Sequence, residues 1–135
     1  MQSILTTKVL NPDFGLLLMR LSSGFGMLFF HGWGKLTSFP EKAETFADPL
    51  GVGSPVSLGL TVFAEVLCAL MFALGFLTRL AAFPLAFTMF MAVFFVHAGD
   101  SWSDRELSLV YFTIYLGVMI SGPGKFSMDK WFFKW

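Results

Sequence analysis

The chain has 135 residues, 56% hydrophobic and 13% charged, with nine basic and nine acidic side chains and no net charge. An ordinary soluble domain carries about 25% charged residues, so the length allows one domain and the composition excludes a water-soluble globule. Scattered basic residues at zero net charge exclude nucleic acid as a partner, and the lone Cys68 excludes an intramolecular disulfide.

The first apolar segment runs from Phe14 to about Leu36 and carries Arg20 within it. Its midspan Arg, and the lack of a small-residue cleavage site after its apolar core, argue for a retained span rather than a signal peptide. The loop from Thr37 to Pro55 opens on Ser38, Pro40 and Glu41 arranged as a helix start. Phe39, Ala43, Phe46 and Leu50 follow at spacings that predict a short interfacial helix over one mouth of the protein. The second segment, Val56 to Leu77, has Glu65 as its only charge. A very short connection around Thr78 and Arg79 makes the third segment its antiparallel neighbour. The third segment, from Leu80, is uncharged to Val96 and ends near His97. In the fourth, Ser103 and Glu106 read as a capping box, so a helix from Asp104 reaches Ser121 before Gly122, Pro123 and Gly124 stop it.

Unpaired backbone cannot face lipid, and the alternation of a membrane barrel is missing, so each segment reads as a helix. The expected fold is an all-α, integral membrane, antiparallel four-helix bundle with a short interfacial helix in the first loop. Residues 1–135 form a single transmembrane domain, with spans at about 14–36, 56–77, 80–97 and 104–121. Lys8, Arg79, Lys125, Lys130 and Lys134 lie on the side of the termini, against Lys35, Lys42 and Arg105 on the other, which places both termini in the cytoplasm. Trp131, Phe132, Phe133 and Trp135, interleaved with Lys130 and Lys134, fit a segment at headgroup level.

Ionisable groups inside a membrane cost on the order of 3 kcal/mol each, so their positions are informative. At 100° per residue, Arg20, Gly24, Met27, His31 and Lys35 share one arc of the first span. Thr61, Glu65, Ala69 and Phe72 share one on the second, with Cys68 at its edge; Ala86, Phe90, Val93 and His97 do so on the third. The fourth presents Glu106, Val110, Thr113 and Gly117, polar or small and suited to a helix interface. With the spans aligned at their outer ends, Arg20 comes within reach of Glu65. That pair is either a registry device or part of a working site.

His31, Lys35, His97 and Glu106 approach one level near the outer face, although Lys35 can snorkel and Glu106 can serve its own helix terminus. Their spacing is not a metal-ligand signature, and two His at one level without propionate partners do not make a haem site. A quinone fits better, since it needs an apolar slot, a donor at its carbonyl and aromatic walls; His31 with Phe29, Phe30, Phe90 and Phe94 supplies these. The candidate ligand-binding set is Arg20, His31, Lys35, Glu65, His97 and Glu106.

Arg20 with Gly26, then His31, Gly32, Gly34 and Lys35, open a series of matching residues. Glu65, the turn Gly75 to Arg79 into Ala81 and Ala82, His97, Glu106 with Leu107, and the closing Gly122, Pro123, Gly124, Ser127 and Asp129 continue it. On these residues the chain resembles the DoxX family of small bacterial membrane proteins, over most of its length. The resemblance implies a multi-pass protein of the bacterial cytoplasmic (inner) membrane and an oxidoreductase subunit linked to quinone, acting with a soluble redox partner protein. The sequence has no paired-cysteine centre, so electron transfer requires a bound quinone or a partner.

The expected function is a redox-associated membrane subunit that binds a quinone-like or other apolar small molecule, with His31 and Glu65 as polar contacts and Arg20 as charge partner. Two other classes remain open: a small-solute transporter gated by Arg20 and Glu65, which four spans per chain would require to be a homo-dimer, and a non-catalytic membrane anchor for a soluble enzyme.

Overall fold

The structure, a computed structural model, describes Leu5 and residues 9–134, and all regular structure among them is helical. Helix α1 spans Pro12–Thr37, α2 Phe39–Lys42, α3 Ser54–Leu74, α4 Thr78–Val96, α5 Trp102–Ser121 and α6 Met128–Phe133. Among the described residues α1, α3 and α4 are long and apolar enough to cross a membrane. Helix α5 is as long at 20 residues but carries Asp104, Arg105 and Glu106 near its start. Lys8 and Trp135, which the sequence reading used for orientation and for the aromatic cluster, lie outside the described residues.

Each boundary has a local cause. Asn11 caps α1 by accepting from the Phe14 N–H at 3.0 Å, with Pro12 in the first turn. Helix α3 stops at Leu74 rather than Leu77, because Gly75 turns left-handed at φ 72°. The Phe76 N–H then bonds Met71 and the Gly75 N–H bonds Phe72, a Schellman closure that leaves three residues before α4. Helix α5 starts two residues earlier than Ser103 and Glu106 imply. Ser101 is the cap, and its hydroxyl pairs with Asp104 at 2.9 Å, a second S-x-x-acid pattern that overrides the first. The interfacial helix begins after Ser38 as expected but lasts one turn, α2, before the chain bends toward Phe46.

The long helices pack in chain order: α1 against α3, α3 against α4 and α4 against α5, which returns to α1. Lipid provides no hydrophobic drive between helices, so close packing rests on small residues. A Cβ at Gly24 would sit 2.6 Å from that of Ala73, and one at Gly32 would collide with the Glu65 carbonyl oxygen. These two contacts fix the antiparallel register of α1 on α3. Between the helices Met27, Phe72, Ala82, Leu85, Tyr115 and Val118 are buried, while Phe30, Leu67, Leu74 and Leu80 face outward.

The α4–α5 pair is held at both ends by arginines. Arg79 donates to the last carbonyls of α5, Met119 at 3.0 Å and Ile120 at 3.4 Å, and Arg105 donates to Val93 of α4 at 3.2 Å. Each cation thus sits at the negative end of the partner helix. After Gly122 and Gly124 the chain folds back under the helices, and the buried Asp129 caps α4. Its carboxylate accepts from the Leu77 N–H at 2.6 Å, the Thr78 N–H at 2.9 Å and the Thr78 hydroxyl at 2.7 Å.

Candidate functional site

Each of the three apolar helices widens into a π-turn: Leu28–Gly32 and Ala92–Val96 toward the loop end of α1 and α4, and Phe63–Cys68 at the middle of α3. Such turns lack a regular 3.6-residue pattern and recur at functional sites. His31 lies in the first, Glu65 in the second, and His97 follows the third.

Gly32 brings α1 onto α3 at Glu65, and one turn later Lys35 reaches across. Its Nζ lies 2.6 Å from Glu65 Oε2, with the carboxylate side chain 3% exposed and the lysine 23%. The acid of this ion pair is therefore sealed among helices, while the ammonium borders open space. It uses one of its three N–H bonds on Glu65.

That space is a cavity of about 380 Å³ between α3 and α4. Leu60, Phe63 and Ala64 line it from α3, Phe83, Pro84, Phe87 and Met89 from α4, and Phe46, Pro49 and Leu50 of the first loop roof it. Pro84 lacks an N–H, so the Leu80 carbonyl one turn earlier in α4 loses its helical donor. The hydroxyls on the wall are already engaged: Thr61 donates to Ser57 at 2.9 Å, Thr88 to Pro84 at 2.8 Å, and Ser57 to Asp48 at 2.7 Å. Polar capacity toward the interior therefore comes from Lys35, Glu65 and His97. Asp48 also accepts from the Val52 and Gly53 N–H groups, latching the roof to the start of α3. Its carboxyl is held below the usual range, chiefly by the Ser57 hydroxyl and with help from the Gly53, Val52 and Gly51 N–H groups against partial desolvation.

The six sequence candidates separate. Lys35, Glu65 and His97 meet at the cavity, with His97 Nδ1 also 2.8 Å from Asp100. His31 stands on the other side of the ion pair, in electrostatic range of both partners but edge-on to Tyr111 at 5.7 Å between ring centres. Phe29 and Phe30 beside it face outward. Glu106 is exposed and outside the cavity lining, and Val110, Thr113 and Gly117 point outward with it, so the arc read as an interface on the fourth helix is its outer face.

Arg20 does not pair with Glu65. The Gly24–Ala73 and Gly32–Glu65 contacts offset the two residues by about 18 Å along the helices, beyond any arginine's reach. Fully buried, Arg20 instead donates to the carbonyls of Ala73, at 3.1 Å, and of Phe126 in the C-terminal segment. A solute path gated by an Arg20–Glu65 pair loses its basis with this register.

Two tyrosines escaped the sequence reading. Tyr111 and Tyr115 stack at 5.9 Å, and Tyr115, fully buried, donates to the Ser23 carbonyl at 2.9 Å and meets Phe72 edge-on at 5.1 Å. They are the chain's only tyrosines, four residues apart on one helix, and that spacing was the available signal. Together with His31 they form an aromatic ladder behind the ion pair. Among the described residues no three His, Cys, Asp or Glu side chains gather as a metal-binding group.

The DoxX family profile matches residues 15–98, which takes in α1 through α4, the ion pair and the cavity wall. The chain belongs to the DoxX family. With three apolar helices of spanning length it is a membrane protein of that family. A relative from Haemophilus influenzae (strain ATCC 51907 / DSM 11121 / KW20 / Rd), described as an uncharacterized protein, is 32% identical over 115 residues, covering 80% of this chain and 84% of its own. No solved structure matches.

Proposed function

We propose that this DoxX protein is a four-span helical bundle of the bacterial cytoplasmic membrane that binds the head of a quinone-like molecule in the cavity between α3 and α4. One observation carries the reading. A largely apolar cavity of about 380 Å³ is roofed by the first loop and presents an ammonium and a carboxylate, Lys35 and Glu65, at its wall. A planar dicarbonyl head with an apolar tail matches that distribution: Lys35 donates to a carbonyl, Glu65 accepts from the reduced hydroxyl, and Phe63, Phe83 and Phe87 flank the ring. His97 serves the cavity from the loop side, and His31 with Tyr111 supports Glu65 from behind.

Helix α5 is the fourth span in this reading and the first loop the outer cap. Both termini are cytoplasmic in this reading, because Arg79, Lys125, Lys130 and Lys134 flank the spans at the terminal end, against Lys35, Lys42 and Arg105 at the loop end. The only cysteine is buried in α3, so electrons for the quinone come from a soluble redox partner.

The test is equilibrium binding of a short-chain quinone to the purified protein. Losing a charge-assisted hydrogen bond of about 1.5–3 kcal/mol, Lys35→Met should weaken binding roughly tenfold to a hundredfold. Ala92→Phe, which fills the cavity, should abolish it, and Glu106→Gln should leave it unchanged. Equal affinity in all three variants would remove the cavity from the account.

A further inference from the structure

A second cleft, of about 400 Å³, opens at the opposite end of the molecule, between the start of α4 and the end of α5. Leu77, Arg79, Leu80, Ser121, Pro123 and Phe133 are among its lining residues. It sits where the positive charge collects. Among the described residues the terminal end holds five basic and two acidic residues, whereas the loop end holds three basic and seven acidic.

The acid that borders the cleft, Asp129, is fully engaged: both carboxylate oxygens accept from Leu77 and Thr78 at the start of α4. Arg79 has capacity left. It is exposed and uses Nε and Nη2 on α5, while its Nη1 makes no hydrogen bond among the described residues. Beside the guanidinium the surface turns apolar, with Leu80 68% and Ile120 73% exposed, and Phe133 of α6, 58% exposed, lines the cleft. Cation, aromatic rim and apolar wall follow one another as phosphodiester, glycerol and acyl chain do in a lipid at the bilayer edge.

We propose that this cleft is a binding site for one anionic glycerophospholipid, its phosphodiester on Arg79 and its acyl chain along Leu80 and Ile120. The occupant is a lipid rather than free phosphate, because the apolar wall continues from the cation toward the bilayer. The inference stands apart from the quinone reading, since the two sites lie at opposite ends of α4.

The experiment is native mass spectrometry of the full chain with phosphatidylglycerol or phosphatidylcholine of identical acyl chains. Preferential retention of one phosphatidylglycerol is expected. Arg79→Gln should lower that preference about fivefold, the worth of one basic contact, and Lys42→Gln at the other end should leave it intact. Because Arg79 also caps α5, wild-type protein provides an arm independent of folding: a photoreactive phosphatidylglycerol should label residues 77–80 and 121–133. Equal retention of both lipids, labelling concentrated elsewhere, or displacement by inorganic phosphate would each overturn the proposal.

Discussion

Replacing Lys35 with Met removes the cation from a carboxylate whose side chain is 3% exposed, and replacing Glu65 with Gln removes the anion from an ammonium that is 23% exposed. The two changes should differ in cost for that reason. Stripping the partner from a buried charge costs about 3–5 kcal/mol. Because some solvent reaches the pair through the lysine side and the cavity, Lys35→Met should fall near the low end, about 3 kcal/mol. Lys35 can instead swing toward the interface and keep its solvation, while the replacement amide still offers an oxygen, so Glu65→Gln should cost about 1 kcal/mol. The double variant buries no unpaired charge and should cost about 1–2 kcal/mol, a coupling of about 2–3 kcal/mol in the cycle. Reversible unfolding in mixed micelles at increasing SDS fraction measures all three. Equal and additive single effects would show that the pair is not coupled and would refute this description of the cavity wall.

Gly24→Ala should destabilise the protein by about 1–3 kcal/mol in the same assay, since the new Cβ would fall 2.6 Å from Ala73 Cβ and 2.9 Å from its backbone. Adding Ala73→Gly should recover part of the loss. Asp129→Ala leaves three donors at the start of α4 without their acceptor and should cost about 2–4 kcal/mol, with Asp129→Asn losing roughly half as much; faster amide exchange confined to residues 76–80 is the accompanying sign. The Asp48 latch carries a pH dependence. Its carboxyl lies below the unfolded-state value, so its stabilising effect is complete above the ordinary Asp range and is lost as pH falls through the lowered folded value. The difference in Tm between wild type and Asp48→Asn should therefore close on acidification, and a gap that persists or widens in acid would show that the latch works by other means.

Composition and hydropathy located the three apolar helices to within three residues at each end, because the bilayer sets their length and their polar residues line up on one arc. Arg20, Gly24 and Met27 on α1, and Glu65, Ala69 and Phe72 on α3, are all buried as their arcs imply. Register was not legible. It depends on which small residue of α1 meets which of α3, and Gly24 on Ala73 with Gly32 on Glu65 passes the acid from Arg20 to Lys35. The π-turns break the 3.6-residue period on which facial reading relies. On α5 the charged first turn drew attention to the Glu106 arc, whereas the tyrosines, bulkier and able to place a hydroxyl on a partner's backbone, decide which face turns inward. The caps by Asp129 and Arg105 join residues far apart in the chain, and local patterns do not encode them.

The central claim is that a quinone-like head rests against Lys35 and Glu65 inside the cavity roofed by the first loop. A quinone analogue with a photoreactive group on its ring, irradiated with the protein in membranes, tests it at the level of residues. Saturable labelling of residues 60–65 and 83–97, lost on adding excess unlabelled quinone, is the predicted result. Labelling that does not saturate, or that concentrates on the outer faces of α1 and α5, would contradict the account.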